Sequence, residues 1–509
     1  MQLKELISYI PASSAQGPLD REVAGITYDS RRITPGMVFV AVPGMNADGH
    51  DYVLNAIERG ASAVICERNG FIPRSATVIK VANSREALAR AASAFYGRPS
   101  NKLKVVGITG TNGKTTVAFL IKKILETEGI RTGLIGTVRY EIGERVIPAQ
   151  RTTPESLEIQ QMMAQMVRAG CQACVMEVSS HALDQKRVLG VEFDVAIFTN
   201  LTQDHLDYHG TMEDYFGAKE KLFTALQESC KPGTAIINID DSYGERLGQK
   251  IHPQIILTYG FDEAAKVRAT QVRLGPEATD MVIETPEQSF PCSLGLIGRH
   301  NVYNALAAVG AGLALKVRIQ SIQTALNQIR TIPGRLEKLA VGQPFSVFVD
   351  YAHTDDALRN VLATLREVTK GRLLLVFGCG GNRDAGKRPK MGRAAAASAD
   401  FTIITSDNPR RESAAKIAQQ VQEGYCALRR SDYLVELDRL RAIDSAIRMA
   451  KPGDTVLIAG KGHETYQEFE DTVIPFDDRV HAQETLGALG YTKEDERATD
   501  HPNDARSST

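Results

Sequence analysis

The sequence predicts an α/β protein of three domains. They are a small α/β N-terminal domain, a central mononucleotide-binding α/β domain built on a phosphate loop (P-loop), and a C-terminal doubly wound domain of Rossmann-like type. Three observations predict it. Short apolar runs alternate with helical-period segments along nearly the whole chain. One run, residues 103–108, leads into Gly110-Thr111-Asn112-Gly113-Lys114-Thr115-Thr116, and a helical pattern follows over 117–127. In the last third, each strand ends in polar or Gly-rich residues, as a sheet with one functional rim requires.

A chain of 509 residues fits about three domains. Apolar content of 43% and charged content of 24% are ordinary for a globular protein. A net charge of −1 gives no reason to expect nucleic acid or a polybasic membrane anchor. No apolar run approaches the roughly 20 residues of a membrane span. Met1-Gln2-Leu3-Lys4-Glu5-Leu6 lacks a signal-peptide apolar region. Seven scattered cysteines suit a reducing compartment, so a cytoplasmic protein is expected. Cys171 and Cys174 form a lone C-x-x-C, better read as two small buried hydrophobes than as a metal or redox pair.

Residues 1–99 form the first domain. Segments 23–28, 37–42 and 63–66 read as strands, 52–59 and 85–95 as helices. Two polar turns, Asp29-Ser30-Arg31-Arg32 and the loop from Pro43 to Gly49, are ordinary connections or binding loops. Gly97-Arg98-Pro99-Ser100 reads as a linker.

Residues 100–332 form the second. Backbone N–H groups of the Gly-rich turn and the helix N-terminus make an anion site. Lys114 can reach the β- and γ-phosphates, and the Thr115 hydroxyl can hold Mg²⁺. The usual phosphate-loop pattern wants Gly where Ile108 stands. The strand at Val175 ends in Glu177-Val178-Ser179-Ser180-His181, so Glu177 sits where a carboxylate can hold the nucleotide's Mg²⁺. Strand 195–198 runs into Thr199–His209, rich in Asp, His and Asn. Lys219 lies on a helix over 212–223, and spacing alone reads it as solvated. Asn301 and Asn304 share one face of a helix ending at Ala314; they can bond a base or a phosphate-linked group, or Asn301 can simply cap the helix.

Residues 333–490 form the third. Strands are expected at 345–349, 373–377, 401–405 and 455–458, with a helix over 354–368. Their ends carry Asp350-Tyr351-Ala352-His353, Gly378–Asp384, Ser406-Asp407-Asn408-Pro409-Arg410 and Gly460-Lys461-Gly462-His463-Glu464. Residues 491–509 are polar and aperiodic, a disordered tail by composition. The residues alone point to a Mg-ATP enzyme handling acidic substrates.

The order of motifs resembles the Mur ligase family across nearly the whole chain. The elements are Gly110–Thr116, Thr152-Thr153-Pro154-Glu155, Glu177–Leu183, Asp204-His205-Leu206-Asp207-Tyr208-His209, His300–Asn304, Pro333-Gly334-Arg335-Leu336-Glu337, Asp350–His353 and Asp407-Asn408-Pro409-Arg410. The family loop is G-T-x-G-K-[ST], which accounts for Ile108. The resemblance implies an ATP-dependent acid–amino-acid ligase of peptidoglycan precursor synthesis. ATP phosphorylates a substrate carboxylate, and an incoming amine attacks the acyl phosphate.

By the same resemblance, Gly110, Thr111, Asn112, Gly113, Lys114, Thr115, Thr116, Asn301, Asn304 and Arg335 bind ATP. Lys114, Glu177, His205 and Lys219 are catalytic. Thr115, Glu177, His205 and Lys219 hold Mg²⁺, Lys219 through a carbamate (N6-carboxylysine), which overturns the solvated reading. Tyr28, Ser30, Met45, Asn46 and Ala47, with Thr152, Thr153, Ser179, Gln185 and Arg187, bind UDP-MurNAc-L-Ala-D-Glu. Met45-Asn46 departs from the His-Gln common there, and Asp355 replaces a Pro, a tolerable first-turn residue.

Arg383, Asp407, Asn408, Pro409, Arg410, Gly460 and Glu464 match a meso-diaminopimelate site. Diaminopimelate exceeds lysine by a carboxylate, which an Arg at 410 can grip bidentately. A monomer is implied, with no nucleic-acid or membrane partner. Three rivals stand beside this reading: a lysine-adding muramoyl ligase, a folylpolyglutamate synthase-like ligase, and a nucleotide-dependent switch. Arg410 argues against the first, and Asp29-Ser30-Arg31 with its whole N-terminal domain against the second. The third would lack acceptor-dependent phosphate release.

Overall fold

A computed structural model describes residues 1–44, 47–68, 77–251, 255–428 and 431–491. Met45, Asn46 and all but the first residue of the expected tail lie outside them. By contact density the chain divides into two compact units. One holds Met1–Arg273, Asp280–Leu294 and His300–Ile329; the other holds the rest, chiefly Arg330 onward. No helix of the described residues is long and apolar enough to cross a membrane.

The first unit contains two sheets. The N-terminal one has 5 strands, in the order Ala12–Gln16, Val78–Val81, Ala63–Cys66, Met37–Val40, Gly25–Thr27. All but the first run parallel to their neighbours. Its β-branched strands are buried, and the Ala-rich helix Ser84–Phe95 covers one face with Ala87, Leu88, Ala91 and Ala92. Asn83 caps that helix by accepting from Glu86 N at 2.8 Å.

The expected linker is a packed turn instead. Arg98 takes a left-handed φ of 49°, and Pro99 opens the 3₁₀ turn Pro99–Lys102. Ser100 is fully buried; its hydroxyl accepts from Glu192 N at 3.1 Å and its carbonyl from Lys231 Nζ at 2.6 Å. Polar composition suggested a free connection, but the hydroxyl and carbonyl of Ser100 both find partners in the central domain.

The central sheet has 11 strands. Its parallel heart runs Ile255–Gly260, Thr234–Asn238, Val195–Phe198, Lys104–Thr109, Ala173–Glu177, Thr132–Ile135. A hairpin, Arg139–Ile142 with Arg145–Pro148, extends one edge. Strands Val267–Leu274, Thr279–Glu284 and Ser289–Leu294 extend the other. Neither extension was read from the sequence. Lys104–Thr109 lies between Val195–Phe198 and Ala173–Glu177, with Glu177 level with Ile108 and Phe198 level with Thr109. Strand order therefore brings three polar strand ends together. Cys171 and Cys174 are free and buried, packed as hydrophobes.

The second unit holds a 6-stranded sheet: Glu337–Leu339, Ser346–Asp350, Thr455–Ala459, Leu373–Phe377, Phe401–Ile404, Tyr433–Val435. Only the first pairing is antiparallel. Leu373, Leu375 and Phe377 pack into one core, Leu374 and Val376 into another. Apolar residues on both faces of one strand are the mark of a sheet covered on both sides, as doubly wound topology requires. The helix Asp355–Val368 starts at Asp355, with Thr354 capping it from Ala357 N at 3.2 Å, so the departure from Pro is harmless.

Candidate active site

The phosphate loop follows Lys104–Thr109 and ends where the helix Lys114–Thr127 begins. Gly110 and Gly113 have φ of 144° and 88°. A Cβ at Gly110 would lie 1.8 Å from Thr199 Oγ1, and one at Gly113 2.4 Å from Asn304 Oδ1. Both positions therefore need glycine. Thr111 N donates to Asn200 O at 2.9 Å and Asn112 N to Asn200 Oδ1 at 3.0 Å. Thr199 Oγ1 donates to Asn112 O at 2.6 Å. Lys114 Nζ folds back on the Gly110 and Thr111 carbonyls at 2.9 and 2.8 Å. Thr116 is buried in the first helical turn. Asn301 lies inside the helix Arg299–Ala314, not at its cap, and its Oδ1 accepts from Asn304 Nδ2 at 3.0 Å. Asn304 thus lies over the loop.

Glu177 ends the neighbouring strand, 1% exposed. Its carboxylate accepts from Thr115 Oγ1 at 3.0 Å, Thr137 N at 2.8 Å and Thr137 Oγ1 at 2.9 Å. These donors are all uncharged. A Cβ on Gly136 would come within 2.5 Å of Glu177 Oε1, so the cradle is closed around the carboxylate. Thr115 and Glu177 together form a hard-oxygen pair at a phosphate loop. Mg²⁺ takes about one or two protein oxygens at such sites and the rest from phosphate and water. The donor set fits. Among the described residues no three His, Cys, Asp or Glu side chains converge as a self-sufficient cage.

Lys219 is 1% exposed. Its Nζ donates to Gly110 O at 2.9 Å, the carbonyl Lys114 also uses, and lies 4.4 Å from the centre of the Tyr215 ring. Burial, then the charge of Lys114, pushes this amine well below the usual lysine range, with Asp204 opposing. The sequence did contain the signal. Tyr215, Phe216, Lys219, Leu222, Phe223 and Leu226 form the buried stripe of the helix Met212–Glu228. His205, left-handed at φ 54°, packs edge-on against His181 at 4.8 Å and Tyr215 at 6.1 Å. Burial drives its imidazole down to about 4 despite Asp204, with Lys114 and Lys219 adding to the effect.

Beside Glu177, Thr153 Oγ1 donates to Glu177 O at 2.8 Å and accepts from Ser179 N at 3.0 Å. Thr152 Oγ1 is 3.1 Å from Thr137 Oγ1. Arg187 bonds Gln185 Oε1 at 2.7 Å and Thr153 O at 3.0 Å, and pairs with Glu155 at 3.2 Å. Gln185 Nε2 reaches Tyr208 Oη at 3.1 Å. The five central residues assigned to the nucleotide-sugar peptide thus form one cluster. In the N-terminal domain, Tyr28 Oη donates to Glu158 Oε1 at 2.8 Å, the buried Ser30 opens a 3₁₀ turn capped by Asp29, and Ala47 O accepts from Gly44 N at 3.0 Å. Thr137 went unnoticed in the sequence, since it lies in no chemical motif, while Asn200 lay in the polar strand end already singled out but was given no role of its own.

The rim of the second unit gathers its own set. Arg335 stacks on Tyr351 with 4.9 Å to the ring centre. Arg410 sits at a left-handed φ of 51°; its Nε donates to Glu468 Oε2 at 2.7 Å and Nη1 to Gly381 O at 2.9 Å. Asn408 Nδ2 donates to Glu464 Oε2 at 3.0 Å, and Asp407 O accepts from Gln467 Nε2 at 2.9 Å. A Cβ on Gly460 would lie 3.1 Å from Asp407 Oδ2, and one on Gly381 1.9 Å from Pro409 O. Arg383 stands exposed beside Gly380. Glu468 and the buried Lys461 join the cluster; the sequence placed Gly460–Glu464 on this rim but gave Lys461 no role.

A phosphate loop on the central strand of a parallel sheet, flanked by a buried carboxylate and a buried lysine, defines a nucleotide-dependent enzyme. The chain belongs to the Mur ligase family. Residues 22–96 match the Mur ligase family catalytic domain, 108–312 the Mur ligase middle domain and 334–462 the Mur ligase glutamate ligase domain. Among its relatives, the UDP-N-acetylmuramoyl-L-alanyl-D-glutamate–2,6-diaminopimelate ligase of Syntrophomonas wolfei is 45% identical over 96% of this chain and 99% of its own. The enzyme of the same name from Solibacter usitatus is also 45% identical, over 96% and 99%. A solved structure of a ligase of that name is 30% identical and superposes with a TM-score of 0.69, covering 97% of this chain and 100% of its own.

Proposed function

We propose that this protein uses ATP to join meso-2,6-diaminopimelate to UDP-N-acetylmuramoyl-L-alanyl-D-glutamate in the cytoplasm, as a monomer. Two relatives named for this reaction are 45% identical across 96% of the chain, and that observation carries the reading. We assign 1–99 to the nucleotide-sugar, 100–332 to ATP and 333–490 to the amino acid.

The chemistry follows from the residues. A carboxylate is a poor electrophile, so ATP first transfers its γ-phosphoryl group to the D-glutamate carboxylate and ADP leaves. The free amine of diaminopimelate attacks the acyl carbon, the C–O bond to phosphate breaks, and a proton leaves the nitrogen. Two anions must meet in the first step, which concentrated positive charge makes possible. Lys114 turns from the Gly110 and Thr111 carbonyls to the phosphates. Mg²⁺ held by Thr115 and Glu177 would neutralise phosphate charge. The neutral form of the Lys219 amine is the one that adds CO₂; an N–C bond forms, a proton leaves the nitrogen, and the carbamate anion left would be able to face a metal beside His205. Thr152, Thr153, Ser179, Gln185 and Arg187 hold the muramoyl peptide. Tyr28, Ser30 and the loop from Met45 to Ala47 hold the nucleotide-sugar end. Asn301, Asn304 and Arg335 bind the nucleotide.

At the acceptor, Arg410 grips the distal carboxylate and Glu464 accepts from the ammonium beside it. Arg383, Asp407, Asn408, Pro409 and Gly460 complete that site. Phosphate release from ATP with the UDP-linked dipeptide tests the reading. Release should require meso-diaminopimelate and be far weaker with L-lysine. Release indifferent to the acceptor would overturn it.

A further inference from the structure

We infer that Lys461 is the positioning residue of the acceptor site: its buried ammonium ties Asn408 and Glu464, from two strand ends, into one recognition surface. The inference rests on the reading of Glu464 and Arg410 as acceptor contacts.

Lys461 is 0% exposed. Its Nζ lies 3.1 Å from Asn408 Oδ1, 3.1 Å from Glu464 Oε2 and 3.5 Å from Asp407 Oδ1. An ammonium has three protons, and these three acceptors use them all. Lys461 therefore acts on substrate only through its neighbours. Both Lys461 and Asn408 Nδ2 end on the same oxygen of Glu464, which fixes the plane of that carboxylate. Asn408 Oδ1 also accepts from Glu468 N at 3.1 Å, and Glu468 Oε2 holds Arg410 Nε at 2.7 Å. One buried cation thus sets both the carboxylate that meets an ammonium and, two bonds further on, the guanidinium that meets a carboxylate.

Charge makes the same point. Asp407 and Glu464 share a buried space, where two carboxylates repel each other. Burial, with Asp407, favours the neutral acid at Glu464; Lys461 opposes this at contact, as do the Asn408 hydrogen bond and Arg439 from a further element, while Tyr351 and Tyr466 face it as uncharged phenols. His463 packs on Tyr351 at 5.0 Å. Without Lys461, Glu464 would take a proton at higher pH and lose its grip on an ammonium.

The test compares wild type, Lys461→Met and Lys461→Arg. KM for meso-diaminopimelate, ATP and the UDP-linked dipeptide is measured from pH 6 to 9, with thermal unfolding alongside. Lys461→Met should raise the acceptor KM by on the order of tenfold or more and leave the other two within about twofold. The pH below which acceptor KM climbs should move up by about one unit, and Lys461→Arg should restore most of both. If Lys461→Met does not fold, Lys461→Gln carries the same comparison. Failure of both to fold, equal losses for all three substrates, or an unchanged acceptor KM and pH profile would overturn the inference. A wild type that releases no phosphate with meso-diaminopimelate defeats the functional reading instead. The variants are then read with whichever amino acid it accepts, and a wild type that accepts none overturns both.

Discussion

The two units bury lysine in opposite ways. Lys219, in the central sheet, meets a carbonyl and an aromatic ring, and its nearest charged influence is another lysine. Lys461, on the C-terminal rim, meets two carboxylates and an amide. Both side chains are buried. The first lies in surroundings that disfavour its charge and push its titration down; the second holds anions in place. The first surroundings suit chemistry on the amine, while the second suit recognition of a zwitterion. The same residue type at the same depth thus serves two ends, and the partners decide which.

Four experiments sharpen or break this contrast. The largest effect is expected at Lys219, where Lys219→Ala should lower kcat by on the order of 10³-fold. Wild-type activity should also fall when CO₂ is stripped from the buffer, and indifference to both changes would end the idea that the amine carries chemistry. Next, Arg410→Ala should raise the KM for meso-diaminopimelate by on the order of 10²-fold and spare that for ATP. Equal KM values in mutant and wild type would remove Arg410 from the acceptor site.

The third experiment reads stability. The folded amine of Lys219 titrates well below its unfolded value of 10.5. Between those values the unfolded chain binds the extra proton, so stability rises with pH across that window and the slope vanishes below it. In CO₂-free buffer, Lys219→Met should lose a slope of up to about 1.4 kcal/mol per pH unit in urea unfolding. Parallel curves for the two proteins would mean that Lys219 is not buried neutral. The smallest effect is expected at Glu468, where Glu468→Gln should raise the acceptor KM about fivefold by loosening Arg410. A lower KM would mean that Glu468 competes with substrate rather than orienting its partner.

What was legible in the sequence follows the range of the forces involved. Strand, Gly-rich turn and helix around Gly110 are local, and they read correctly from spacing. Glu177 was legible because a polar residue ends an apolar strand. Lys219 needed the family pattern, although its place on the stripe from Tyr215 to Leu226 was visible to anyone counting helical turns. The Ser100 turn was misread because the partners of its polar groups, Glu192 and Lys231, lie far along the chain. The strands beyond Gly260 and the hairpin after Ile135 escaped because half-exposed edge strands carry little apolar signal. Lys461 escaped because nothing local shows that Asp407 and Glu464 meet.

The turn at Pro99–Lys102 has a practical consequence. Lys231 also grips Leu103 O at 2.9 Å and Asp194 at 2.9 Å, pinning the turn to the central sheet, while across it Ser93 Oγ donates to Gly190 O at 3.1 Å and Glu86 pairs with Lys186 at 2.6 Å. Cutting the gene there would part Ser93 and Glu86 from those partners and take Leu157 out of the N-terminal core. Residues 1–99 are therefore a poor unit for separate expression or for swapping between relatives, whatever their own sheet suggests. An exchange of this domain between relatives would have to carry those contacts with it.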